Sequence, residues 1–160
     1  MFDFTPDPHA SKSELYADLA LAAGALVHGE TDPVANMANL AALVWQYVPQ
    51  LNWAGFYRVI GDELVLGPFV GKPACIRIQF GVGVCGTAAA SGGTQLVSDV
   101  HAFPGHIACD AASRSELVVP VLRNDRVIAV IDLDSPELGR FDEEDAAGME
   151  RLAAIAAEAI

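Results

Sequence analysis

Three cysteines, Cys75, Cys85 and Cys109, fall within one 35-residue stretch, in the contexts GKPACIRI, GVGVCGTA and GHIACDAAS. Structural cysteines usually behave as small buried hydrophobes in smooth apolar runs. These segments instead mix in Gly, His, Asp and Pro and read as loops or element ends, where functional groups concentrate. An accessible thiolate there can act as a redox nucleophile, and a second cysteine can resolve its oxidised form. Arg114, five residues beyond Cys109, could help to lower a thiol pKa. His101, His106 and Cys109 spell H-x4-H-x2-C. That spacing fits no standard zinc pattern, so no metal site is expected.

A second group of residues is acidic. In RVIAVIDLDS (126–135) strand alternation predicts that Ile128 and Val130 share a face with Asp132 and Asp134. Like charges on one strand face repel unless partnered. Either this strand runs out into solvent or its acids floor a pocket that binds a cation or holds a proton. Glu116 lies on the preceding strand, in SRSELVVP. A three-residue loop between the strands puts Glu116 opposite Asp132, whereas a loop of two or four turns it to the other face. Converging, the three acids would raise one another's pKa, leaving one protonated near neutrality as a general acid. Its ionised neighbours could hold a substrate ammonium. There is no G-x-S-x-G, no P-loop and no H-E-x-x-H, and GVGVCG does not complete a dinucleotide fingerprint.

The elements that must position these groups follow from periodicity. After a loose lead-in over residues 1–10, Ser11-x-x-Glu14 forms a capping box. Leu15, Leu19, Ala22 and Leu26 then predict an amphipathic helix over 12–27. Asp32-Pro33 starts a second helix, striped by Val34, Met37, Ala41, Val44 and Val48 and stopped by Pro49. From Trp53 the period changes to two. A strand runs to Val59, Gly61-Asp62 turns it, and ELVLGPFV returns. A short extended piece lies within 71–80, a short helix spans 84–91, QLVSDV makes a short strand and 100–113 an irregular loop. SELVVPVL and RVIAVIDLDS form the strongest hairpin, and a capped helix runs from Asp142 to the end. This order predicts a single α+β domain over 1–160. Its sheet is mainly antiparallel, with the terminal helices on one face and the active-site loops on the other.

The chain has 160 residues, 52% of them hydrophobic, which suits one folded domain with a real core. Nine Lys+Arg stand against 21 Asp+Glu, a net charge of −12. No large basic patch can form, so neither nucleic acid nor an anionic membrane is an expected partner. The N-terminus has neither a basic n-region nor an apolar h-region, and a cytoplasmic location is expected.

LNWAGFY, LGPFVGKPACIRI, GVGVCGTA, VSDVHAFPGHIACDAASRSELVVPV and VIAVIDLDSP, in that order, resemble the GAF-domain free methionine-(R)-sulfoxide reductases. The resemblance covers residues 35–155 and implies a GAF-like fold. It also implies reduction of free L-methionine-(R)-sulfoxide, with thioredoxin or another dithiol as reductant and no other cofactor. On that resemblance Cys109 is the nucleophile, Cys75 the resolving cysteine, and Cys85 a relay or alternative resolver. Glu116 and Asp134 would activate the sulfoxide, and Asp132 would hold the substrate ammonium. Trp53 would cover the substrate methyl group, with Tyr57 lining the same pocket. The resemblance also favours a homodimer. The alternative is a non-enzymatic GAF sensor of a small ligand or of redox state, which would need a pocket but no resolving cysteine.

Overall fold

The computed structural model describes residues 4–105 and 111–160. The helices are α1 (Lys12–Val27), α2 (Pro33–Tyr47), α3 (Gly83–Ser91) and α4 (Glu143–Ala159). The strands are β1 (Trp53–Ile60), β2 (Glu63–Gly71), β3 (Arg77–Gln79), β4 (Gln95–Val97), β5 (Ser115–Arg123) and β6 (Arg126–Ser135). One 3-10 turn covers Val100–Ala102.

Local chemistry starts the helices where the sequence predicts. Ser11 and Glu14 form the reciprocal capping box of α1. Asp32 accepts a hydrogen bond from Ala35 N at 2.8 Å, with Pro33 opening α2. Asp142 caps α4 through the backbone N–H groups of Glu144 and Asp145. Acids at 143–145 also complement the positive end of that helix.

The six strands lie in the order β3-β2-β1-β6-β5-β4, and all neighbouring pairs are antiparallel. The fold is α+β, as expected. One face carries Ala54, Phe56, Leu117, Val119, Ala129, Ile131 and Leu133 against α1, α2 and α4. The other carries Trp53, Tyr57, Val118 and Val130 against α3 and the central loops.

The buried stripe of α1 is centred on Tyr16, Leu19, Ala22 and Ala23. The Tyr16 hydroxyl donates to buried Asp145 at 2.8 Å, and Lys12 Nζ (2.9 Å) and Arg140 (3.3 Å) pair with the same carboxylate. The two helices meet this closely because residue 148 is glycine. A Cβ there would lie 2.2 Å from Tyr16 Cγ.

The β5–β6 hairpin decides where the acids go. Its turn has two residues, Asn124 and Asp125, both with positive φ (51° and 60°), the geometry a tight hairpin turn requires. Strict pairing from that turn would send Glu116 to the helix face. The register instead shifts between Val121 and Leu122, so that Leu122 pairs Val127 but Val121 pairs Ala129. Ile128 is the extra residue of a β-bulge. It packs toward the helices, so it does not share the face of Asp132 and Asp134 as alternation predicts. Beyond the bulge Glu116 stands opposite Asp134.

Candidate active site

One row of side chains crosses four strands on the loop-covered face. Trp53 pairs with Asp134, Asp134 with Glu116, and Glu116 with Val97. Asp132 lies one pair along, between Gly55 and Val118. The bulge therefore brings all three predicted acids to one face, with Asp134 rather than Asp132 opposite Glu116.

Glu116 and Asp132 are each only 6% exposed. Burial is the largest influence on Glu116, followed by the charges of Asp132 and Asp134, and it holds the carboxyl well above the usual carboxylate range. Burial also lifts Asp132, from 3.8 to about 7, while hydrogen bonds from Cys85 and Glu116 pull the other way. The preferred state is a protonated Glu116 donating to an Asp132 that carries the negative charge. Oδ1 of Asp132 is buried without a hydrogen-bond partner. An unpaired buried acceptor is costly, and an ammonium donor would satisfy it.

Cys85 sits in the first turn of α3 beneath these acids, buried at 4% exposure, with Sγ 4.0 Å from Glu116 Oε1. It thus lies at an element end, as GVGVCGTA suggests, but buried rather than accessible. Burial first, and then the charges of Asp132 and Glu116, push its thiol well up. Cys85 is a free, neutral thiol. Cys85, Glu116 and Asp132 also offer ligand atoms all within 4.8 Å of one another. Cys75 is disulfide-bonded. Cys109 and His106 lie outside the described residues.

The aromatic side of the site is built around residue 55. A Cβ on Gly55 would fall 2.3 Å from Phe69 Cβ and 2.8 Å from Trp53 Cη2. With glycine there, the Trp53 ring stacks on Phe69 (centroids 5.2 Å apart) and on Tyr57 (5.8 Å). Trp53 Nε1 donates to Lys72 O at 3.1 Å, and the Tyr57 hydroxyl donates to Cys75 O at 3.0 Å. Those two bonds pin segment 72–75 over the sheet. Trp53, Tyr57, Lys72, Pro73, Ala74, Asp132 and Asp134 line a small cavity between that segment and the acids. Phe69 and the 72–74 backbone are site residues that the sequence reading missed. The GKP turn beside Cys75 was the available signal. Arg77 forms an ion pair with Glu63 at the sheet edge.

Known proteins bear on this arrangement at two levels. The GAF domain model matches residues 34–160, and the chain belongs to the GAF-domain family. It is 51% identical to the free methionine-R-sulfoxide reductase of Escherichia coli, over 90% of this chain and 87% of that one. It is 44% identical to the Saccharomyces cerevisiae enzyme of the same name, over 91% and 85%. The X-ray structure of free methionine-R-sulfoxide reductase from Neisseria meningitidis in complex with its substrate superposes with a TM-score of 0.94. Its identity is 46%, covering 99% of this chain and 95% of that one. Within the GAF domains this chain is thus a member of the free methionine-R-sulfoxide reductase family. No helix among the described residues is long and apolar enough to cross a membrane.

Proposed function

We propose that the protein reduces free L-methionine-(R)-sulfoxide to L-methionine, with Cys109 as nucleophile. The observation that carries this reading is the buried Glu116–Asp132 pair, sharing one proton below Trp53 and beside the segment that ends in disulfide-bonded Cys75. Asp132 brings a negative charge to one small cavity with an aromatic wall, and the Glu116 proton lies one hydrogen bond away from it.

In the proposed cycle the Cys109 thiolate attacks the sulfoxide sulfur while Glu116, assisted by Asp134, protonates the oxygen. The oxygen passes to sulfur, leaving methionine and a Cys109 sulfenic acid. The Cys75 thiol condenses with that sulfenic acid, releasing water and forming a Cys75–Cys109 disulfide. Three facts support this pairing: Cys75 is oxidised, Cys85 is a free thiol, and the sequence has one further cysteine. The raised pKa of Cys85 argues against its acting as resolver and favours a role as hydrogen-bond donor to Asp132. A dithiol of the thioredoxin class returns the disulfide to two thiols. No metal or organic cofactor enters the scheme. A cytoplasmic setting suits a cycle that consumes reduced thiols. A homodimer belongs to the same reading, supported by exposed Leu21 on α1 and exposed Val34 and Trp45 on α2.

Preference for the free amino acid follows from Asp132. Its orphan oxygen accepts an ammonium N–H, and an acylated substrate leaves that acceptor and its charge poorly paired. The test is turnover of separate R and S methionine sulfoxide, and of N-acetyl-methionine-(R)-sulfoxide, with dithiothreitol as reductant. Turnover of the free R form is expected, with kcat/KM for the acetylated form lower by about 100-fold or more. No turnover by the folded, reduced protein would overturn the reading in favour of a ligand sensor. Equal use of R and S, or of the acetylated form, would overturn the assigned pocket.

A further inference from the structure

We propose that the sheet edge formed by Ile76, β3 and the Phe80–Val82 turn is the docking surface for the dithiol oxidoreductase that recycles the protein. This rests on the reading of Cys75 as the resolving cysteine. Ten large apolar side chains are exposed among the described residues, and three of them, Ile76, Phe80 and Val82, fall within seven consecutive positions. Those positions begin immediately after disulfide-bonded Cys75. Ile76 is 69% exposed. Many of the others are scattered on the outer helices or at hairpin tips, as Ile60 and Leu122 are.

The chemistry dictates what must sit here. Reduction begins when a partner thiolate attacks one sulfur of the disulfide, breaking the S–S bond and forming a mixed disulfide. The partner's second thiol then attacks its own sulfur in that bond. Two electrons and two protons pass to this chain, which regains two thiols, and the partner leaves as a disulfide. A protein delivering that thiol must cover the surface around Cys75, and Ile76 is the neighbouring residue. A transient interface of about 800 Å² per side spans roughly 30 Å. Phe80 lies five residues along from Cys75, no more than about 17 Å away even if fully extended, which is within the reach of a footprint of that span that includes Cys75. Interface centres are apolar with polar rims. Here the exposed Arg77–Glu63 pair borders the apolar residues. β3 is also the outermost strand of the sheet, paired with β2 alone in the strand order.

A small dithiol needs none of this surface, which separates docking from catalysis. The experiment compares wild type, Ile76→Glu, Ile76→Ser and the hairpin-tip control Leu122→Glu. Turnover of free methionine-(R)-sulfoxide is driven either by thioredoxin with its NADPH-dependent reductase or by dithiothreitol. For Ile76→Glu the KM for thioredoxin is expected to rise about 10-fold or more, with a smaller rise for Ile76→Ser. Dithiothreitol-driven rates should stay within twofold of wild type, and Leu122→Glu should be unchanged in both assays. An unchanged thioredoxin KM in Ile76→Glu would overturn the proposal. So would an equal loss with dithiothreitol, or a change of oligomeric state in the variant, which would assign the patch to self-association. Wild type that turns over with dithiothreitol but not with thioredoxin would overturn the docking surface and leave the reductase standing. Wild type inactive with both would remove the reductase reading and the docking surface with it.

Discussion

Asp132→Asn should make the protein more stable at neutral and alkaline pH while removing activity. Burial lifts the Asp132 carboxyl from 3.8 to about 7 in the folded state. A carboxyl raised on folding costs nothing below its unfolded pKa, where both states are protonated. The cost grows as pH rises from about 4 and is complete above about 7. At about 1.4 kcal/mol per pH unit the full cost is about 4 kcal/mol, and roughly 3 kcal/mol of it accrues between pH 5 and pH 8. Asparagine keeps an acceptor for Glu116 and cannot ionise, so the variant escapes that loss. The assay is urea unfolding of both oxidised proteins at pH 5 and pH 8. With a slope of about 2 kcal/mol per molar urea, the midpoint of wild type should fall by over about 1 M relative to the variant. Parallel stabilities across that range would refute the assignment of Asp132 as a buried, strained acid. Activity lost for stability gained is the usual pattern at functional sites.

Glu116→Gln should lower kcat by about 10²–10⁴-fold, because it removes the proton donor and keeps the shape; rates near wild type would exclude Glu116 as the acid. In wild type kcat/KM should be bell-shaped. It should fall below about pH 7 as Asp132 takes up a proton, and fall again at the higher pH where Glu116 loses its own. A flat profile between pH 6 and 9 would contradict this. Gly55→Ala should raise KM by about 10-fold, because the new methyl group falls 2.3 Å from Phe69 Cβ and displaces the Trp53 stack. Unchanged kinetics would show that Trp53 does not contact substrate. Gly148→Val should cost about 3 kcal/mol in thermal or urea unfolding, since a Cβ would meet the Tyr16 ring at 2.2 Å. A loss under 1 kcal/mol would mean that α1 and α4 separate freely.

What the sequence made legible was local. Ser11, Asp32 and Asp142 announce their helices because capping is decided by one side chain and the next three residues. The β5–β6 hairpin was legible too, though not the two-residue length of its Asn124-Asp125 turn. The face chosen by Glu116 was not legible, because a bulge at Ile128 reverses the parity set by the turn and leaves no compositional mark. The burial of Cys85 was not legible either. Its Gly-rich flanks fit the helix expected over 84–91, but nothing in them shows that α3 lays the thiol against the acids. Phe69 and the 72–75 segment enter the site through contacts between distant residues, which periodicity does not encode.

The most direct test of this chemistry is a single turnover without external reductant. Fully reduced protein is mixed with excess free methionine-(R)-sulfoxide, methionine is counted, and the oxidised chain is mapped by peptide mass. One methionine per chain is expected, with a Cys75–Cys109 linkage, a free Cys85, and no methionine from Cys109→Ser. Methionine formed by Cys109→Ser, or a disulfide that includes Cys85 in wild type, would contradict it.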